Sequence, residues 1–315
     1  MGGVFAPSFF VDTRRILLYN YFPEVIFLDA RKTFSRIGFA TLAFLIASDA
    51  ASICFALLFE AISPGALENS DVEALVSFLS VDLIGVGAFW LVVRKLRSFR
   101  LSRESMDAGE LFVYFIVCVF VSLVGAILGV GVSDFLSGGA ATDYAAELLD
   151  NPGLFTIFSV AAVGPVVEEI AFRKLIIDRT VQFGEKNAVL FSAMIFGLMH
   201  GNFYQAFYAF GIGLVFGYIY TRSGKIRYTI ILHIIFNLIC GVLPSYFPDE
   251  IFLSFVEMAS ALLGLIFIIA FRRKIRFRKT LFELSSRKAF GKMCINVGMI
   301  LFFAAVVFEF IYSLM

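Results

Sequence analysis

The sequence predicts an all-α, polytopic bundle of eight or nine transmembrane helices. Of its 315 residues, 60% are hydrophobic and 16% are charged. A typical soluble domain carries about 25% charged residues, so the polar surface that keeps a globular protein in water is missing. Long apolar stretches recur along the chain, and Lys and Arg residues collect in alternate connections between them. These three observations exclude a soluble globular protein, a disordered chain and a disulfide scaffold.

The apolar stretches define nine candidate spans. They lie at 37–63, 74–93, 111–132, 153–177, 188–202, 204–220, 228–243, 251–271 and 293–313. A helix needs about 20 apolar residues to cross the hydrocarbon core. The fifth, sixth and seventh stretches are shorter, which leaves open whether one of them is tilted, broken or merged with its neighbour. We therefore expect eight or nine spans.

The distribution of basic residues predicts the orientation. The 26 Lys and Arg residues precede span one, lie at or beyond the end of span four, or follow spans two, six and eight, whereas the other connections hold none. Cytoplasmic loops are enriched in Lys and Arg. The pattern favours nine spans in the cell membrane, with a cytoplasmic N-terminus and an external C-terminus. The basic segments 94–110 and 272–292 are predicted to be cytoplasmic linkers that contact anionic membrane lipids.

This layout divides the chain into four regions. They are a cytoplasmic N-terminal segment (1–36), N-terminal transmembrane helices (37–150), a central helical core (153–243) and C-terminal transmembrane helices (251–315). With a net charge of +1, no nucleic-acid partner is expected. The oligomeric state cannot be read from the sequence.

Ionisable residues inside apolar spans are costly to bury, which makes them candidates for function. The chain has only two histidines, and both fall within predicted spans. The candidates are Asp49, Asp82, Glu168, Glu169, Arg173, His200 and His233.

The fourth span contains two adjacent glutamates with different expected partners. Glu169 and Arg173 are four residues apart, so they lie on one helix face and can form an ion pair. Glu168 is rotated by about 100° and is left to face a cavity. Pro165 removes a main-chain donor and favours a kink that makes room for water. The alternative is that the Glu-Glu-x-x-x-Arg unit is only a helix-packing salt bridge.

Two further pairs have the same four-residue spacing. Phe196 precedes His200 in the fifth span, where the phenyl ring is expected to contact the imidazole. His233 precedes Asn237 on one face of the seventh span. The depths of Glu168 and both histidines are compatible with one site in the cytoplasmic half of the bilayer.

These three motifs, in this order, resemble those of the CPBP family (the CAAX-protease and bacteriocin-processing family). Its members are intramembrane peptidases similar to the eukaryotic prenyl-protein endopeptidase, and the resemblance covers residues 153–243. It implies that Glu168 is a general base that activates water and that His200 helps to hold this water. It also implies that His233 and Asn237 stabilise an oxyanion. Supporting roles fall to Glu169, Arg173 and Phe196.

The resemblance leaves metal dependence open. Two histidines and a glutamate can bind zinc with a fourth position for water, and the zinc ligands would then be Glu168, His200 and His233. We favour a mechanism without metal, because the two histidines lie on different helices and form no HExxH pair. No other cofactor is expected.

Three functions are compatible with the sequence. The favoured one is an intramembrane endopeptidase that cleaves a peptide or a lipid-modified protein near the cytoplasmic face. The alternative is a non-catalytic membrane protein that confers bacteriocin immunity or scaffolds a membrane complex. A secondary transporter is less favoured, because the sequence has no paired half-repeats.

Overall fold

A computed structural model describes residues 29–246, 250–280 and 283–315. Within these ranges the chain is helical without strands, which confirms the predicted all-α class. The helices are α1 (Ala30–Ile62), α2 (Ser70–Val93), α3 (Ala108–Ser137), α4 (Tyr144–Leu148), α5 (Leu154–Phe183), α6 (Glu185–Leu198), α7 (Phe203–Ser223), α8 (Ile226–Tyr246), α9 (Glu250–Phe271), α10 (Ser286–Cys294) and α11 (Val297–Tyr312).

The number of spans is seven or eight, compared with the predicted eight or nine. Among the described residues, seven helices are long and apolar enough to cross a membrane, or eight if α10 and α11 form one span with a 70° bend. Nine is not reached, because α6 has 14 residues. At 1.5 Å per residue, α6 rises only about 21 Å.

Helix α1 begins seven residues before the predicted first span. The Asp29 side chain caps it by accepting from the main-chain N–H groups of Arg31 and Lys32, at 3.0 and 3.3 Å. Such caps satisfy donors that have no partner within the helix. Most of the predicted N-terminal segment, residues 1–28, lies outside the described residues.

The predicted fifth span is wrong at its C-terminal end, because His200 lies in a turn. Helix α6 ends at Leu198. Gly201 then adopts a left-handed conformation with φ of 68°, which glycine tolerates at little cost. The Asn202 side chain caps α7 by accepting from the Gln205 N–H at 2.9 Å. These two residues reverse the chain and leave His200 between two helices.

Four stretches within three of the helices are π-helical. These stretches are Phe78–Gly85 in α2, Ser159–Val163 and Glu169–Ile177 in α5, and Asn237–Val242 in α8. In α5 they flank the short α-helical segment that contains Pro165, so the irregularity expected there takes the form of π-turns. Such turns are frequent at functional sites.

The linker predicted at 272–292 is partly helical, since α10 begins at Ser286. Upstream of α10, the linker packs against the end of α5. Thr280 Oγ1 donates to the Gln182 carbonyl at 2.9 Å, and the Leu284 N–H donates to the Phe183 carbonyl at 3.1 Å. These contacts attach the linker to the end of α5.

Candidate active site

A cavity of about 550 Å³ lies among α2, α3, α5, α7 and α8. Four side chains named by the sequence motifs as water-activating or oxyanion-binding groups border it together. They are Glu168, His200, His233 and Asn237, and Phe196 borders the same cavity.

Glu169 and Arg173 lie behind the cavity wall, and both are 0% exposed. The predicted ion pair is confirmed, with Arg173 Nε 3.1 Å from Glu169 Oε2. The Arg173 guanidinium also lies 4.4 Å from the ring centroid of Phe196 and 5.7 Å from that of Phe216. A buried cation is stabilised by such aromatic faces in addition to its counter-ion.

His233 lies between the two glutamates. Its Nδ1 is 3.1 Å from Glu169 Oε1, and its Nε2 is 3.6 Å from Glu168 Oε2. Because the Glu169 carboxylate pairs with Arg173, it accepts the Nδ1 proton of His233. Arg173, Glu169 and His233 therefore form a chain of polar contacts from the interior to the cavity. This chain fixes the orientation of the His233 imidazole ring.

His200 is oriented by the main chain of the preceding helix. Its Nδ1 lies 2.8 Å from the Phe196 carbonyl oxygen. A carbonyl can only accept, so Nδ1 carries the proton, and Nε2 of the neutral ring is an acceptor. The expected ring contact is confirmed, because Phe196 and His200 lie edge to face with centroids 5.1 Å apart.

Asn237 is positioned by a π-turn of the neighbouring helix. Its Nδ2 donates to the Val160 carbonyl at 2.9 Å. The amide has a second N–H group, and Asn237 borders the cavity. The π-helical geometry at Ser159–Val163 is thus linked to the placement of one predicted oxyanion donor.

The cavity also contains polar residues that the motifs do not include. Asp82 is one of the predicted intramembrane acids, and no partner or location for it follows from the sequence. Gln205 and Tyr208 carry no motif, and their polar groups interrupt an apolar helix without a recognisable spacing. The structure places all three on the cavity wall, together with Glu257.

The residues that would bind zinc in the alternative mechanism, Glu168, His200 and His233, do not fit a metal centre. In the part of the chain that the structure describes, no group of three His, Cys, Asp or Glu side chains is arranged to hold a metal ion. His233 already directs Nδ1 to Glu169 at 3.1 Å, and its Nε2 lies 3.6 Å from Glu168 Oε2. No reaction step is therefore derived through a metal.

An outer pocket of about 410 Å³ continues the cavity. It is bordered by Asp143 and Asp150, near α4, and by Pro244 and Ser245 at the end of α8. The orientation predicted from Lys and Arg residues puts this mouth on the external side. The depths of Glu168 and both histidines are compatible with a site in the cytoplasmic half, so the two predictions differ about the side from which the site is reached.

Comparisons with known proteins concern the segment that builds this site. Residues 150–239 match the family model described as type II CAAX prenyl endopeptidase, Rce1-like. The membrane-embedded CAAX protease MroQ of Staphylococcus aureus (strain USA300) is 31% identical over 88 residues, which are 26% of this chain and 36% of that protein. YdiL of Bacillus subtilis (strain 168), a candidate membrane peptidase, is 34% identical over 79 residues, 24% of this chain and 31% of that protein.

The matched parts therefore span about a third of the length of these curated relatives. No solved structure matches the chain. The four motif residues that border the cavity all lie within the matched segment. The resemblance predicted from the three motifs is thus confirmed for this segment: residues 150–239 are similar to the Rce1-like CAAX prenyl endopeptidases.

Proposed function

We propose that the protein is an intramembrane endopeptidase that hydrolyses a peptide bond with a glutamate-activated water. One observation carries the proposal. Glu168 borders a cavity together with His200, His233 and Asn237, whereas the adjacent Glu169 is buried against Arg173. The similarity of residues 150–239 to CAAX prenyl endopeptidases supports the same reaction.

The water is activated between α5 and the turn that follows α6. Glu168 accepts a proton from the water, and His200 Nε2 accepts a hydrogen bond from the other water hydrogen. The water oxygen then attacks the peptide carbonyl carbon, which forms a tetrahedral intermediate. The proton held by Glu168 passes to the leaving amine as the C–N bond breaks. General acid–base steps of this kind contribute about 10²–10⁴-fold to the rate.

The oxyanion is stabilised from α8. Asn237 offers the N–H that it does not give to Val160. His233 already donates its Nδ1 proton to Glu169, so it can donate to the oxyanion only when Nε2 is also protonated. Donors that are fixed in a water-poor cavity before the reaction stabilise a developing charge far better than donors in water.

The substrate class is a peptide or a lipid-modified protein. The cavity is built from helices long and apolar enough to cross a membrane, so a membrane-associated substrate can reach it within the bilayer. The protein acts in the cell membrane, in contact with membrane lipids and with a cytoplasmic N-terminus.

The test compares peptide termini in membranes from cells that express the wild-type protein or the Glu168→Gln variant at equal levels. Glu309→Gln is the matched control, because Glu309 lies in α11 and is not among the residues that border the cavity. The proposal predicts new termini with wild type and Glu309→Gln but not with Glu168→Gln.

Identical termini in all three samples would contradict the proposal. That result would favour the non-catalytic alternative, in which the polar residues only hold α5, α6 and α8 together. Immunity or scaffolding would then decrease in proportion to the amount of folded protein in the membrane.

A further inference from the structure

Tyr208 lies where the cavity meets its outer pocket. It borders both spaces, and so do Leu149, Cys240 and Gly241. The Tyr208 ring is 6.5 Å from the His200 ring, measured between centroids. A peptide that extends from the reacting bond towards the outer pocket would pass this junction, which we call the throat.

A chain of hydrogen bonds begins at the turn that holds His200. The Asn202 side-chain oxygen accepts from the Gln205 main-chain N–H at 2.9 Å, which identifies the other terminal atom as Nδ2. Asn202 Nδ2 donates to the His200 carbonyl at 2.8 Å and to Gln205 Oε1 at 2.9 Å. Both of its hydrogens are thereby used.

This chain sets the direction of the last hydrogen bond. Because Gln205 Oε1 accepts from Asn202, the other end of the amide is Nε2, which can only donate. Gln205 Nε2 lies 3.2 Å from the Tyr208 hydroxyl oxygen and donates to it. The Tyr208 oxygen therefore acts as an acceptor towards Gln205, and its own proton turns away from the amide.

We infer that Tyr208 is a further substrate-binding residue, whose hydroxyl donates a hydrogen bond to a main-chain carbonyl of the peptide in the throat. The inference rests on the proposed peptidase function. A peptide main chain presents a carbonyl acceptor at every residue, whatever its sequence. The contact therefore holds the peptide in the cavity without selecting its side chains.

The contact belongs to binding and not to the chemical step. Tyr208 borders the throat on α7, whereas Glu168 and Asn237 project from α5 and α8. A contact made equally in the bound peptide and in the transition state changes KM and leaves kcat unchanged. A neutral hydrogen bond of ordinary strength corresponds to a change of about two- to twelvefold in affinity.

The first test measures peptide binding to the Glu168→Gln protein. In this variant we expect no hydrolysis, so the bound peptide stays intact. The probes are fluorescein-labelled octapeptides, enriched from a random library on the immobilised Glu168→Gln protein and then measured singly by fluorescence anisotropy. Adding Tyr208→Phe is expected to weaken binding about two- to twelvefold, since it removes one neutral hydrogen bond. The matched control is Tyr204→Phe, whose hydroxyl on the same helix donates to the Ala141 carbonyl at 2.9 Å.

A second variant reverses the hydrogen bond and retains Tyr208. In Gln205→Glu the introduced carboxylate accepts from Asn202 at one oxygen and from the Tyr208 hydroxyl at the other. The phenol proton is then turned away from the throat. We expect the same loss of affinity as with Tyr208→Phe, and no further loss when the two substitutions are combined.

Unchanged affinity in Tyr208→Phe, or an equal loss in Tyr204→Phe, would overturn the inference, as would the failure of every octapeptide to bind. Additive losses in the Tyr208→Phe, Gln205→Glu combination would also contradict it. Melting temperatures confirm that each variant is folded. The proposed function is tested separately, by hydrolysis of the same octapeptides by the wild-type protein. Octapeptides that bind but are not hydrolysed would contradict the peptidase function, and the hydrogen bond from Tyr208 to a bound peptide would still be supported.

Discussion

The two adjacent glutamates of helix α5 have different surroundings. One face presents Glu168 to a cavity of about 550 Å³. The other presents Glu169 and Arg173 to a packed interior, where both are 0% exposed and 3.1 Å apart. The two glutamates are neighbours in the chain, but only one has a cation at contact distance. We therefore assign the chemical step to Glu168, which faces the cavity. Glu169, whose charge is neutralised by Arg173, orients His233.

The largest effect is expected from Glu168→Gln, which keeps the shape of the side chain and removes its basicity. We expect hydrolysis by the purified protein to fall about 10²–10⁴-fold, the usual contribution of a general base. The melting temperature should be close to that of the wild type, because Glu168 forms no buried pair with Arg173. If the melting temperature also falls, Glu168 contributes to stability as well as to catalysis.

Glu169→Gln should affect stability instead. Removing one partner of a buried ion pair leaves an uncompensated charge, so the free energy of unfolding should fall by about 3–5 kcal/mol. The measurement is thermal unfolding in detergent. Glu169→Gln combined with Arg173→Met removes both charges and should recover part of the loss. Wild-type stability in the single variant would mean that the aromatic faces of Phe196 and Phe216 suffice to stabilise the guanidinium.

Asn237→Ala tests the oxyanion site on the cavity side. Removing one oxyanion donor typically lowers kcat by about 10²–10³-fold. We expect such a loss with little change in KM, whereas Tyr208→Phe should change KM and spare kcat. Steady-state kinetics on one octapeptide separates the two. A change confined to KM in Asn237→Ala would move this residue from the transition state to substrate binding.

Metal removal should have the smallest effect. Since the described residues form no cluster suited to a metal ion, dialysis of the purified protein against a chelator should leave hydrolysis unchanged. Metal analysis before and after dialysis is the control. Zinc at one equivalent, lost in both His200→Ala and His233→Ala, would contradict the metal-free mechanism.

The three motifs locate the centre of the site because their spacing has simple geometric consequences. Residues four apart share a helix face, and this rule predicts the Glu169–Arg173 pair and the contact between Phe196 and His200. The all-α class follows from the length and number of the apolar stretches. Neither result requires knowledge of how distant helices pack.

The features that the sequence does not predict depend on tertiary packing. The turn at His200 depends on one left-handed glycine and one capping asparagine within an otherwise apolar stretch. The π-turn at Ser159–Val163 leaves the Val160 carbonyl to a side chain of another helix, and local propensity carries no signal for such a partner. Tyr208 acquires its direction from Gln205 and Asn202, a chain of contacts that becomes visible only when the side chains are placed.

The most direct test of the assignment on α5 measures protein level and product in one experiment, in membranes that carry Glu168→Gln or Glu169→Gln. We expect Glu168→Gln to accumulate like the wild type and to form no new peptide terminus. We expect Glu169→Gln to accumulate less and to lose product roughly in step with folded protein. Product formation by Glu168→Gln, or a joint loss of protein and product in both variants, would contradict the assignment of chemistry to one glutamate and structure to the other.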